Sequence, residues 1–193
     1  MKVKILALSG SLRAASINSA LLRAAVRLAP PDIAVAVYPG LGALPLFDPD
    51  HDANAPRQVM LLRGAVADAD ALLIASPEYA HGVTGTIKNA LDWLVSFEQF
   101  MNKPVAIINT SPRAHHADDA LRETLKTMSA DIIEAASVSI PLLGANLDDA
   151  GMAASPEVSR SIRGALNEIQ RAVMQRVGTW AEFLVALSNA AGR

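Results

Sequence analysis

Two loops in this sequence carry residue types that suit nucleotide binding. The first, residues 9–19, follows an apolar run and is rich in hydroxyl groups around one arginine, Arg13. A helix that begins in such a loop has free backbone N–H groups, and these together with the helix dipole favour an anion. The second loop, residues 77–83, follows another apolar run and offers backbone amides and one aromatic ring, Tyr79. A phosphate at one loop and a flat ring at the other predict a mononucleotide site.

Each loop also has a simpler interpretation. Serine and asparagine are favoured at helix N-termini, so residues 9–19 could act only as a cap. Residues 77–83 could be an ordinary strand-to-helix turn, with Tyr79 partly buried and His81 solvated. The first loop is neither a Walker A loop nor a dinucleotide fingerprint, because Gly10 is its one glycine. The nucleotide hypothesis is favoured because both loops follow neighbouring strands of one predicted sheet.

Short apolar runs alternate with longer helical patterns along the chain. The strands are predicted at residues 3–8, 33–37, 71–75, 105–108 and 132–140, and the helices at 18–28, 57–67, 84–95, 117–128 and 156–187. This alternation predicts one α/β domain over residues 1–193, with an open parallel sheet covered on both faces. Ligands of such sheets bind at the carboxyl ends of the strands, so the loops at Ser9, Ser76 and Thr110 should converge.

Two further segments have a predicted role. Residues 39–56 are rich in proline, glycine and aspartate and too long for a simple connection, which makes them a candidate wall of the site. The last helix has an apolar stripe that includes Trp180, which we interpret as core or interface rather than as a cofactor site.

The composition excludes several classes of function. With 193 residues, 51% of them hydrophobic and 19% charged, the chain is typical of a well-packed globular protein. The net charge of −2 and the scattered Lys and Arg residues predict no binding to nucleic acid or to an anionic membrane. Without cysteine, redox chemistry needs a bound cofactor. No apolar run approaches the ~20 residues that span a bilayer, and we expect a cytoplasmic protein.

Metal binding and hydrolysis are not predicted. Residues 48–52 resemble the start of an EF-hand loop, but Ala53 and Val59 replace the required glycine and glutamate. A second cluster stands at a predicted helix start, where adjacent side chains point about 100° apart and aspartate simply suits the dipole: His115, His116, Asp118 and Asp119. The chain also lacks the Gly-x-Ser-x-Gly elbow of hydrolases.

Four stretches together carry a family resemblance. They are Gly10-Ser11-Leu12-Arg13 with Ser16 and Asn18, then Leu44-Pro45-Leu46-Phe47-Asp48, then Pro77-Glu78-Tyr79, and finally Ile87-Lys88-Asn89-Ala90-Leu91-Asp92-Trp93-Leu94. Together they resemble the NAD(P)H-dependent FMN reductases, a flavodoxin-like group that includes quinone, chromate and azo-dye reductases. The resemblance runs from residue 3 to about residue 111. It implies a three-layer sandwich whose five-stranded parallel sheet has the order 2-1-3-4-5.

The resemblance also implies a cofactor, FMN, and the residues around it. Its phosphate would be held by the first loop, through Ser9, Ser11, Leu12, Arg13, Ser16, Ile17, Asn18 and Ser19. The second loop would line the edge of the isoalloxazine ring through Pro77, Glu78, Tyr79, Ala80, His81 and Gly82. The loop after the fourth strand would approach the ring through Thr110 and Ser111. No side chain is assigned to catalysis, because the flavin carries the chemistry; His81 is a candidate proton donor to a reduced quinone.

The implied activity is hydride transfer from NADPH or NADH through FMN to a small-molecule acceptor such as a quinone, in a ping-pong reaction. The sequence leaves the nicotinamide nucleotide and the acceptor open. The alternative is an FMN-binding electron carrier without NAD(P)H activity, although the nearly neutral charge favours the enzyme because carriers of this fold are usually strongly acidic. A phosphosugar- or nucleoside-handling enzyme is supported only by the anion loop.

The chain departs from the family pattern at two positions. Ala80 stands where many relatives have asparagine, and Thr84 stands where many have proline, so we expect the Thr84 hydroxyl to cap the next helix. That helix and the residues after it carry more apolar surface than one sheet face needs, which predicts a homodimer or homotetramer through Trp93, Leu94, Val95, Phe97 and Phe100.

Overall fold

The central sheet has five parallel strands and the predicted order. The computed structural model describes residues 1–111, 113 and 115–191, except for the side chains of residues 180–191. The strands are β1 (Val3–Ser9), β2 (Ile33–Val37), β3 (Ala71–Ala75), β4 (Pro104–Ile107) and β5 (Asp131–Ile132). Their order is β2-β1-β3-β4-β5, which confirms the flavodoxin-like α/β prediction. Strands β1 and β3 lie in the middle, so the loops after them are neighbours.

Helices cover both faces because the central strands bury both sets of side chains. Val3, Ile5 and Ala7 of β1 belong to the core beneath the first face. Alternate residues of the same strand, Leu6 and Leu8, belong to the second core. The first face carries α1 (Ile17–Leu28), α5 (Asp149–Ala154) and α6 (Pro156–Ala191), and the second carries α2 (Arg57–Asp68), α3 (Gly85–Asp92) and α4 (His115–Thr127).

Side-chain hydroxyls define the starts of the two helices nearest the predicted site. Ser16 caps α1 by accepting a hydrogen bond from the Ser19 amide at 3.3 Å. Thr84 caps α3 in the same way, by accepting from the Ile87 amide at 3.3 Å. The second cap confirms the role expected for Thr84. Each cap satisfies one of the backbone donors that a helix start leaves without an intrahelical partner.

The prediction of one long fifth strand is wrong. Only residues 131–132 form β5; a 3₁₀ turn follows at Glu134–Ala136, and pairing with the sheet resumes as a single bridge between Asn109 and Ser139. Ser137 explains the interruption, because its hydroxyl donates to the Ile133 carbonyl at 2.9 Å and accepts from the Ile107 amide at 3.1 Å. A side chain thus replaces one rung of the backbone ladder, and the chain turns outward between the two paired segments.

The last helix is long, and its apolar stripe is only partly described. Ile162, Leu166 and Ile169 are fully buried against the sheet, whereas Val177 is 47% exposed. The interpretation of the Trp180 stripe as core or interface concerns side chains that lie outside the described residues. Among the described residues, no helix combines the length and apolar character needed to cross a membrane.

Two side chains of α3 and the turn after it attach the long 39–56 segment to the domain. The Asn89 amide group donates to the Pro45 carbonyl at 2.9 Å, and its oxygen accepts from the Phe47 amide at 2.8 Å. The Trp93 indole N–H also donates to the Pro45 carbonyl, at 2.8 Å, and its ring meets the Phe47 ring edge-on at 5.0 Å between centroids. Asn89 and Trp93 therefore hold the loop, which explains their spacing in the 87–94 stretch.

The same packing removes most of the apolar surface on which self-association was predicted. Trp93, Leu94 and Phe100 are at most 1% exposed, so they belong to this chain's own core, and Phe97 packs partly against that core. Val95 is the exposed member of the set. The expectation that all five side chains form a surplus apolar surface is wrong, because Trp93, Leu94 and Phe100 are buried and Phe97 is partly buried in this chain's own core.

Replacing Asn89 with alanine should free the 44–47 loop. We expect the free energy of unfolding to fall by about 2 kcal/mol, since two hydrogen bonds of ~1 kcal/mol each are lost. Urea denaturation measures this value. The matched control is Lys88→Ala, because the neighbouring lysine has an exposed ion pair with Asp92 that contributes no more than ~0.5 kcal/mol. A loss no larger than that of the control would contradict the attachment.

Candidate functional site

A cavity of about 750 Å³ opens at the carboxyl ends of β1, β3 and β4. Its size lies within the roughly 300–1,000 Å³ typical of small-molecule sites. The loops after these three strands converge on it, as the topology predicts. Nine of the predicted site residues line it: Ser11, Arg13, Ser16, Ile17, Pro77, Glu78, Tyr79, Thr110 and Ser111.

Seven predicted site residues do not line the cavity, although three of them form hydrogen bonds within or between the loops around it: Ser9, Leu12, Asn18, Ser19, Ala80, His81 and Gly82. The hydroxyls of Ser9 and Ser19 share a hydrogen bond of 2.7 Å. The buried Asn18 accepts a 3.0 Å hydrogen bond from the Thr110 hydroxyl through Oδ1. Asn18 thereby joins the first loop to the loop after β4. The direct contact of these seven residues with a ligand stays a prediction.

The first loop presents unpaired donors at the start of α1. In the described part of the chain, no hydrogen bond uses the backbone amides of Ala15, Ile17 or Asn18. The Arg13 guanidinium likewise has no hydrogen bond or ion pair with a described residue, and it lines the cavity. Free amides at a helix N-terminus and a free guanidinium are the donors that bind phosphate. This end of the cavity is therefore suited to a phosphate group.

Close packing fixes the first loop against the second. The Gly10 amide donates to the Ala75 carbonyl at 2.9 Å, which extends the pairing of β1 with β3 by one residue. A Cβ atom at Gly10 would lie 2.1 Å from the Ser76 hydroxyl oxygen and 2.9 Å from a side-chain carbon of Ile87. Only glycine fits this approach. The close approach of Gly10 to Ser76 therefore sets the distance between the phosphate end and the aromatic end of the cavity.

The second loop is a tight hairpin that the sequence does not indicate. Glu78–Tyr79 pairs with Gly82–Val83, and the two residues between them, Ala80 and His81, have φ angles of 50° and 58°. Two successive left-handed residues define a type I′ turn, for which asparagine followed by glycine is the favoured pair. Alanine and histidine are strained in this conformation and give no hairpin signal. The turn holds Tyr79 at the cavity with its side chain more than half exposed.

Glu78 ties this hairpin to the helix beside it. Its Oε2 accepts a 2.9 Å hydrogen bond from the Ala117 amide in the first turn of α4, and its Oε1 lies 3.1 Å from Nδ1 of His81. The Ala117 amide and, to a smaller extent, His81 hold the pKa of the Glu78 carboxyl below its usual range, although burial opposes them. The His81 ring also meets the His116 ring edge-on at 4.7 Å. The Glu78 carboxylate therefore stabilises the position of the hairpin against α4.

Sequence reasoning missed several residues of the cavity wall. Ser76 and Asn109 directly follow predicted strands, so their positions could have been found from the topology. Arg113 follows the predicted Thr110 and Ser111 closely, and its amide donates to the Ser111 hydroxyl at 3.3 Å. Arg23 and the segment 143–148 also line the cavity, but they are distant in the chain and no local pattern brings them together.

The family model and two curated relatives that match this chain are named as reductases of FMN or of quinones. The family model described as NADPH-dependent FMN reductase matches residues 3–143. A 2-hydroxy-1,4-benzoquinone reductase from Burkholderia is 40% identical over 114 residues, covering 58% of this chain and 62% of that protein. A quinone reductase from Escherichia coli is 34% identical over 114 residues, covering 57% and 61%. The chain thus spans about three fifths of the length of the curated relatives it matches.

Solved structures show the same fold over nearly the whole domain. A flavoenzyme NAD(P)H:(acceptor) oxidoreductase from Paracoccus denitrificans has a TM-score of 0.72 and 26% identity, covering 88% of this chain and 98% of that one. The apo form of an NADH:FMN oxidoreductase has a TM-score of 0.65 and 22% identity, covering 89% and 90%. The second likeness concerns the fold alone.

Replacing Ala80 with glycine should stabilise the protein. Glycine adopts the left-handed conformation without the steric cost that alanine has, so we expect the free energy of unfolding to rise by about 0.5–1 kcal/mol. Ala55→Gly is the matched control, because Ala55 has a φ of −58° and glycine there only adds entropy to the unfolded chain. Urea denaturation of both variants checks the prediction. Equal destabilisation of the two would show that the turn is not strained.

Replacing Glu78 with glutamine should lower the melting temperature at pH 7. The native-state pKa of Glu78 is depressed, so its stabilising effect is complete above the pKa of the unfolded chain, about 4.3. The effect is lost as the pH falls through the lower native-state value. The difference between wild type and variant should therefore be constant near neutral pH and shrink below pH ~4.3. Glu123→Gln on α4 is the control, since that side chain has no hydrogen bond or ion pair with a described residue. A difference that persists at low pH would refute the role of the charge.

Proposed function

Because the chain belongs to the NADPH-dependent FMN reductase family, we propose that it is an FMN-dependent oxidoreductase that passes hydride from NADPH or NADH to a quinone or a similar acceptor. The observation that carries this proposal is the meeting of the phosphate-suited loop and the Tyr79 hairpin in one cavity. Two relatives named as quinone or benzoquinone reductases support a quinone as the acceptor.

The residues present fit FMN. The unpaired Arg13 and the free amides at the start of α1 suit its phosphate, and Gly10 lets the backbone pass closely beneath that loop. At the other end, Pro77 and Tyr79 form an apolar edge for a flat ring. Bound there, FMN would supply the hydride chemistry, for which this cysteine-free chain has no side-chain substitute.

The chain's own residues would bind and orient FMN and would not themselves react. Arg13 would pair with the phosphate, and the contact between Asn18 and Thr110 would keep two walls in register. The Glu78 carboxylate would hold the hairpin on α4, so that Tyr79 keeps its place. The His81 side chain is 78% exposed and lies outside the cavity wall, and its role as a proton donor stays a prediction.

Self-association and the ping-pong order are also part of the proposal. The exposed apolar side chains Leu46 and Val95 belong to the two segments that Asn89 and Trp93 hold together, and they support contact with a second copy as a homodimer or homotetramer. A single cavity at the sheet edge supports successive binding of the nucleotide and the acceptor at one place.

The test begins with the purified protein and its reaction with NADPH. We expect a yellow protein that NADPH bleaches and that a quinone then restores. In a flavin titration, Arg13→Ala should weaken FMN binding roughly 10–100-fold, because one charge-assisted contact is lost. Arg57→Ala is the control, since Arg57 begins α2 and does not line the cavity.

Two results would overturn the proposal in different ways. A yellow protein that neither NADPH nor NADH can bleach would indicate the electron carrier. A colourless protein that takes up no added FMN would exclude both functions.

A further inference from the structure

The cavity continues past the first loop along the flank of α1. Beyond Ser16 and Ile17, its wall is formed by Ala20 and Arg23 of α1 on one side and by residues 143–148 on the other. Arg23 lies seven residues after the cap residue Ser16, which is about 10 Å along the helix axis at 1.5 Å per residue. The Arg23 backbone therefore lies well beyond a phosphate that sits at the N-terminus of α1, and its side chain lines the same cavity.

Arg23 forms a long ion pair with Asp149 and also lines this extension, so it can contact a second anion there. Its Nε lies 3.5 Å from Oδ1 of Asp149, too far for a strong charge-assisted hydrogen bond. Asp149 has a better partner in Arg27, whose Nε donates to Oδ2 at 2.6 Å and holds the pKa of Asp149 below its usual range. Helical side chains lean towards the N-terminus, so the Arg23 side chain extends back towards the first loop.

The opposite wall has the chemistry for a nucleoside. Leu143 is 64% exposed and Leu147 is half-buried, so both offer apolar surface to a planar base, and the exposed Asn146 offers an amide. The Asp148 carboxylate, which also lines the extension, accepts a 2.7 Å hydrogen bond from the Gly151 amide and caps α5. The negative charge of Asp148 is therefore partly satisfied within the wall.

A sharp turn of the backbone forms this wall. Gly144 and Asn146 have φ angles of 86° and 49°, so the backbone turns sharply there before α5 begins. Residues of this turn line the same cavity as Ala20 and Arg23.

We propose that this extension binds the adenylate half of FAD, so that the flavin site accepts the dinucleotide as well as FMN. The diphosphate would lie at the start of α1, with Arg13 at its first phosphate and the side chain of Arg23, extended back along the helix, at its second. The adenosine would lie against Leu143 and Leu147. This inference rests on the proposed flavin function and adds a second ligand class to the same site.

Binding of FMN and FAD to the flavin-free full-length protein tests the inference by isothermal titration calorimetry. We expect wild type to bind FAD at least as tightly as FMN. Arg23→Ala should weaken FAD about tenfold, since a charge-assisted contact to the second phosphate is lost, and FMN less than about threefold. Arg160→Ala is the matched control, because Arg160 is an exposed helical arginine of α6 that does not line the cavity. It should leave both affinities unchanged.

The outcomes separate this inference from the proposed function. Binding of FMN with FAD at least tenfold weaker would overturn the extension and leave the flavin function intact. An Arg23→Ala variant that keeps full FAD affinity, or loses FMN and FAD equally, would also overturn it. An equal loss of FAD affinity in Arg160→Ala would assign the effect to the general loss of positive charge and would overturn the extension as well. Failure to bind either flavin would refute the proposed function, and this inference with it.

Discussion

The approach of Gly10 to Ser76 is the contact on which the site depends. It occurs where the two central strands end, and it leaves no room for a side chain at position 10 of the first loop. Because these strands are hydrogen-bonded neighbours, the anion-suited loop and the aromatic hairpin are held at one fixed distance. A larger residue at position 10 would push these loops apart and change the length of the cavity between its phosphate end and its ring end.

Several polar residues of types that often bind ligands instead stabilise the structure around the cavity. Asn18 connects two loops, Glu78 caps α4 through the hairpin, and Asn89 attaches the long 39–56 segment. Each satisfies backbone or hydroxyl groups that would otherwise be unpaired in partly buried positions, which is costly. Among the described residues of the first loop, the groups left for a ligand are mainly the Arg13 guanidinium and the free amides at the start of α1. Polar side chains that stabilise the loops, with donors left free at the phosphate end, are consistent with a protein that positions a cofactor and leaves the reaction to it.

The hairpin after β3 shows strain placed beside the site. Two left-handed residues without glycine cost stability, and the structure keeps them because Glu78 and the pairing of Tyr79 with Gly82 hold the turn in place. Such strain is common where a loop must present a side chain at a defined position. Here it presents Tyr79, which neither strand pairing nor core packing alone would place at the cavity.

The sequence by itself determined the first four strands, the main helices and the loops at which the site forms, because apolar periodicity and helix caps are local properties. The nine residues of the cavity wall were indicated by the family resemblance of those loops. The tertiary structure alone decided the interruption of the edge strand by Ser137, the burial of Trp93 beneath the Pro45 loop, and the wall that residues 143–148 form against Arg23. Each of these depends on a contact between residues far apart in the chain. Local patterns carry no information about such contacts, because their energy exists only after the elements have packed.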